Sequence, residues 1–192
     1  MSPTETPTQN GKAADLAESI KRTNMPAEIL VANAGLVLAA PYLPHLFNLL
    51  ELIDGTKFKN EHAAERAAHL TQFAVNARCD TPEFQMTLNK LLCGIAAATP
   101  IVREIKPSPN ETEAVESMLR AMIQQWSIIG NTSIDGLRES FLQRAGILRW
   151  REDGWRLKVE KKSIDVLIDR LPWGFSIIKS PWMAQPIHVE WR

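Results

Sequence analysis

His62, Glu65 and His69 stand at i, i+3 and i+7, a spacing that sets two imidazoles and a carboxylate along one side of a helix. Imidazole is the commonest metal ligand, so this trio is the nearest approach to a metal site in the chain. Glu61 and Arg66 beside it suit a solvated or partly packed helical face equally well, and no metal is assigned. Nucleophiles fare no better. Ser163, Ser176 and Ser180 lack the glycine context of a nucleophile elbow, and His45 and His188 stand among apolar neighbours. No Walker loop, dinucleotide glycine pattern or cysteine pair at zinc spacing occurs. Cys79 and Cys93 read as buried thiols of a reducing cytoplasm. Neither a catalytic residue nor a cofactor is expected, and the chemistry left to the chain is binding.

Cations and indoles could do that binding. Residues 133–162 carry eight basic and five acidic side chains, a net +3 in a chain whose overall charge is zero. Asp153-Gly154 is a strong hairpin signal, and a two-residue turn there sets Trp150 opposite Leu157 and Leu148 opposite Val159. That register buries Leu148, Trp150, Trp155, Leu157 and Val159 on one face. The other face carries Arg149 opposite Lys158 and Arg151 opposite Arg156, like charges that need hydration or an acidic partner. Five of the six tryptophans lie at or beyond position 150, and Trp173, Trp182 and Trp191 are candidate partner anchors as well as candidate core residues.

Helices must position these groups. The patterning predicts helices at about 27–39 and 43–53 with a turn at Asp54-Gly55, and a third from Asn60 to about Ala77. A fourth starts at Thr81-Pro82-Glu83 and buries Phe84, Leu88, Leu91 and Leu92. Asn110 with Glu113 fits a capping box ahead of the apolar face Val115, Met118, Leu119, Met122, Ile123 and Trp126. Ser133 caps another helix, with Gly146 at its C′ position. A short helix or strand over 164–171 and strands at 175–179 and 187–191 complete the chain.

The fold class expected is α+β: an N-terminal helical bundle and a small antiparallel β-meander, with a winged-helix-like helix-helix-hairpin unit. Its parts are a disordered or weakly helical tail (1–26), with a short polar helix at 13–22. A helical subdomain (27–95), a proline-containing loop (96–109) and a helix-helix-β subdomain sharing the core (110–192) follow. The winged-helix layout makes nucleic-acid binding the alternative function. Against it, the second helix alternates Asp, Arg, Glu and Arg and lacks the Asn, Gln and Lys cluster suited to base edges. Ile29 to Leu50 holds no charged residue and approaches spanning length, yet Asn33, Pro41, Pro44, His45 and Asn48 interrupt it. Two buried helices are expected there, with no membrane association.

Several long blocks, taken in order, resemble the tape-measure protein family of contractile injection systems. They are residues 31–58 (VANAGLVLAAPYLPHLFNLLELIDGTKF), 87–95 (TLNKLLCGI), 131–148 (NTSIDGLRESFLQRAGIL), 153–183 and 187–192 (IHVEWR). The resemblance covers about positions 28–192. It implies a structural role without catalysis: cytoplasmic during assembly, then inside the particle with the baseplate hub, spike and inner-tube proteins as partners. Threefold or sixfold particle symmetry admits a homo-oligomer. A ruler needs reach, and the roughly 26 residues ahead of the matching blocks supply about 40 Å as helix or about 90 Å extended. The expectation is therefore a tape-measure-like or hub-docking module for tube initiation or length control.

Overall fold

The computed structural model describes residues 28–191. The expected tail at 1–26 and its helix at 13–22 lie outside the described residues. Asn60 is in extended backbone and its side-chain oxygen accepts the Ala63 N–H at 2.8 Å, which starts a helix, Glu61–Asn76. Before it, α1 is Leu43–Leu49, so the Asn60-capped helix is α2, and α3 is Thr87–Leu92. Ala63, Ala64, Ala67, Ala68 and Ala74 are buried along α2, where small side chains allow neighbouring elements to come close.

Helix α4, Pro109–Gln125, starts two residues earlier than the Asn110 cap predicts. Ser108 accepts the Glu111 N–H while Glu111 accepts the Ser108 N–H, a reciprocal capping box. Proline explains the shift. Pro109 has no N–H to leave unsatisfied and its fixed φ suits the first helical position, so the cap must be the residue before it. The expected apolar face is buried at Val115, Met118, Leu119, Met122 and Trp126, with Ile123 half-buried. Ser108→Ala is expected to cost about 1 kcal/mol, read from urea denaturation, because it orphans one end of the box.

Four expected helices take other forms. In place of a helix over 27–39, Ile29–Val31 is a strand (β1) and Ala34–Tyr42 a buried 3-10 helix. Patterning cannot separate these states in a continuous apolar run. The helix expected over 43–53 is α1 alone, ending at Leu49. Past it, β2 (Ile53–Asp54) and β3 (Lys57–Phe58) form a small hairpin with Gly55 at φ +60°. The Thr81-Pro82-Glu83 start yields a 3-10 turn, Glu83–Gln85, ahead of α3, and Phe84 is 74% exposed instead of buried. Finally, α5 (Ile134–Leu137), capped by Ser133, passes into a π turn, Arg138–Leu142. Gly146 is no helix C′ residue. It opens a strand where an added Cβ would lie 2.7 Å from Ala34 Cβ and 3.0 Å from the Lys158 carbonyl oxygen.

The main sheet has the order β1-β4-β5-β7-β6, with β4 Gly146–Arg151, β5 Gly154–Val159, β6 Ile177–Ile178 and β7 Ile187–Glu190. It is not an antiparallel meander, because β7 returns parallel to β5. The crossover runs through a 3-10 helix, Ser163–Arg170, and the two Pro-Trp corners. Nor does the hairpin β4/β5 form a wing. It occupies the middle of the sheet, with β1 on one side and β7 on the other. Val31, Leu148, Leu157, Val159, Ile178 and Ile187 on the sheet's inner face join one core with Val37, Leu70, Leu88 and Leu119 from the helical side. Among the described residues, no helix is long and apolar enough to cross a membrane.

Candidate partner-binding surface

The hairpin register differs from the expected one by two residues: Leu148 faces Leu157, Trp150 faces Trp155 and Arg149 faces Arg156. The turn is Glu152-Asp153. A type I′ Asp-Gly turn needs positive φ at both central residues, and here Asp153 does not have it while Gly154 does, at +135°. Gly154 is recruited for close approach instead, since a Cβ there would meet the Pro186 carbonyl oxygen at 2.7 Å. Trp155 N–H donates to that same carbonyl at 2.9 Å, joining the hairpin to the β7 segment. A two-residue slip preserves side-chain parity, so the inward and outward faces are as expected.

Two rows cross the outward face. One runs Leu30, Ile147, Lys158, Glu190, and the other runs Arg149, Arg156, His188, Ile177. Arg151 extends the cationic line toward the turn. Arg149 Nη2 lies 2.6 Å from a Glu28 oxygen, and Arg156 Nη2 lies 2.8 Å from Asp153. Both bridges are at the surface and contribute about 0–1 kcal/mol each. Arg151 and Lys158 are exposed and have no ion-pair partner among the described residues. An open depression of about 680 Å³ at the hairpin tip is lined by Trp150, Arg151, Glu152, Asp153 and Arg156.

The candidate tryptophan anchors are engaged within the chain. Trp173 donates its indole N–H to the Leu38 carbonyl at 2.9 Å and stacks edge-on against Tyr42. Trp182 donates to the Leu92 carbonyl at 2.9 Å and packs on Phe47 and Phe58. Trp191, 3% exposed, donates to Asp165 Oδ2 at 3.0 Å. Trp173 and Trp182 keep partly exposed rings, so each combines an internal tie with accessible area.

Buried polar ties that sequence reasoning missed hold the sheet to the helices. Arg144 is fully buried and reaches Asp165 with two nitrogens, at 2.5 and 3.2 Å, and the Ser140 and Glu160 carbonyls with the rest of its fork. Arg138 and Gln143, presented by the π turn and its end, donate to the Phe73, Ala74 and Val75 carbonyls that close α2. Asn33 bridges Gln72 at 2.8 Å and Asn89 at 2.7 Å, joining β1's end to α2 and α3. No local spacing announces the ties to Asp165, Gln72, Asn89 and the α2 carbonyls, since those partners are 21 to 68 residues apart.

The candidate metal trio is not brought together. His62 is exposed, whereas His69 is buried with Nε2 donating to the Val102 carbonyl at 2.8 Å. Among the described residues no group of three or more His, Cys, Asp or Glu is placed to hold a metal ion. Burial pushes the Cys79 thiol up to about 11 and raises Cys93 as well, so both stay protonated and poor as nucleophiles near neutral pH.

A family model described as contractile injection system tape measure protein matches residues 1–191. The match takes in the N-terminal segment, which the resemblance of the separate blocks left out. No curated protein and no solved structure matches the chain.

Proposed function

The chain belongs to the contractile injection system tape measure protein family, and from that premise we propose that it acts as a folded docking module at the hub end of the inner tube, in tube initiation or length control. A structural role related to the tape measure is what the family carries. The finer reading rests on one observation: the described residues fold back on a single core instead of running as a rod. Their longest α-helix, α4, has 17 residues and spans about 25 Å. A unit of that shape is suited to fill a socket or to nucleate a ring. The partners proposed are the hub, the spike and the inner-tube proteins, met inside the particle through Arg149, Arg151, Arg156 and Lys158 and the accessible parts of Trp173 and Trp182. The role is structural and involves no catalysis.

Electron microscopy of lysates from cells with and without the gene tests this reading. Deletion is expected to abolish sheathed particles or change their length, with recovery on re-expression. Particles of unchanged number and length in the deletion strain would overturn it.

A further inference from the structure

We infer that the outward face of the main sheet is a seat for an extended acidic segment of a partner protein, one that carries carboxylates at alternate positions and aliphatic side chains beside them. The inference rests on the docking reading above and specifies the chemistry of what is docked. Arg149 and Arg151 project from β4 two residues apart, as Arg156 and Lys158 do from β5. Side chains two apart on a strand share a face about 7 Å apart, and neighbouring strands lie about 5 Å apart. The four cations therefore form a stepped grid over three rows, with Arg149 and Arg156 side by side at its centre, Arg151 one row nearer the turn and Lys158 one row farther from it. Its spacing along the strand matches carboxylates at i and i+2 of an extended chain.

The native pairing leaves that grid under-neutralised. Arg149 is set directly opposite Arg156, an arrangement that disfavours the bare sheet and that an incoming carboxylate relieves. The bridges to Glu28 and Asp153 are exposed and exchangeable, and Arg151 and Lys158 keep their charge available. Glu190 and His188 border the grid on β7. Apolar groups flank it across the sheet: Leu30, 75% exposed, beside Ile147 on one side, and Ile177, 64% exposed, on the other. Among the described residues no helix covers this side, because the sheet's core residues lie on the opposite face. A partner that offered charge alone would leave these aliphatics wet, so the fitting occupant is amphipathic.

The test uses the purified full chain and three fluorescent probes. They are a peptide with glutamate at alternate positions and leucine at both ends, the same peptide with lysine for glutamate, and a short DNA duplex. The glutamate peptide is expected to bind best, with affinity falling as salt rises. The double variant R151E/K158E is expected to lose about tenfold in that affinity. Its melting temperature should stay within about 2 °C, because neither side chain has an ion pair among the described residues to lose. Leu30→Ser should weaken the leucine-flanked peptide and leave a leucine-free version unaffected. Absence of binding, or equal binding by R151E/K158E, would overturn the inference, and tighter binding of DNA would replace it with a nucleic-acid face. In cells, normal particles from R151E/K158E in a strain whose deletion abolishes them would remove this face while leaving the docking role intact.

Discussion

Asp165→Ala is expected to lower the unfolding free energy by about 3–5 kcal/mol, because it leaves the Arg144 guanidinium buried without its counter-charge. Asp165 collects four donors: two nitrogens of Arg144, the Lys162 backbone N–H at 2.9 Å and the Trp191 indole at 3.0 Å. The Arg144 plane also lies over the Phe141 and Trp191 rings, 5.9 and 5.7 Å from their centroids. One carboxylate thus ties the π turn, the 3-10 helix after the hairpin and the last strand's end together. Urea denaturation followed by tryptophan fluorescence measures the loss. The double replacement R144M/D165L separates charge from shape and should recover most of the stability, since neither partner is then left alone. A loss at Asp165→Ala below about 1 kcal/mol would refute the assignment.

The same carboxylate sets an acid limit. Burial alone would raise the Asp165 pKa, but its bonds from Arg144, Lys162 and Trp191 outweigh this and hold it below the ordinary carboxylate range. Glu111 behaves alike, with burial opposed by bidentate Arg66 and by Ser108. A depressed folded-state pKa stabilises the fold above the unfolded value, near 4, and that stabilisation disappears as pH falls through the folded one. Stability should therefore fall below about pH 4, and less steeply in Asp165→Ala, which has already lost that carboxylate's share.

Gly35→Ala is the second large effect expected. A Cβ at position 35 would overlap the Phe141 carbonyl oxygen and come within 2.7 Å of Leu142 Cα. Both obstacles are backbone, held by the π turn, so no side chain can rotate away. Overpacking typically costs about 1–3 kcal/mol and more where nothing yields. A loss at or above that upper figure is expected, together with reduced soluble expression. Gly55→Ala is the control: an added Cβ meets nothing within 4 Å there, and only the strain of φ +60° remains. Its cost should be nearer 1 kcal/mol.

What the residues alone determined were features set by local physics. Asn60 capping α2, the buried stripe of α4 and the opposite faces of β4 and β5 each follow from side chains within a few residues of one another. The resemblance of whole segments likewise pointed to the family. Tertiary structure decided what distant neighbours control. Ile29–Val31 is a strand because β4 offers it a ladder, although its apolar run suits a helix equally well. Gly35, Gly146 and Gly154 are glycines because backbone or proline from elsewhere approaches them, which no local pattern encodes. The return of β7 parallel to β5 turned an expected free wing into the centre of a sheet, and so converted four hairpin cations into a flat, ordered grid. Arg144 and Asp165, 21 residues apart, are brought together across the β4/β5 hairpin that lies between them. Their pairing is a product of topology, and a charge pattern read along the chain cannot announce it.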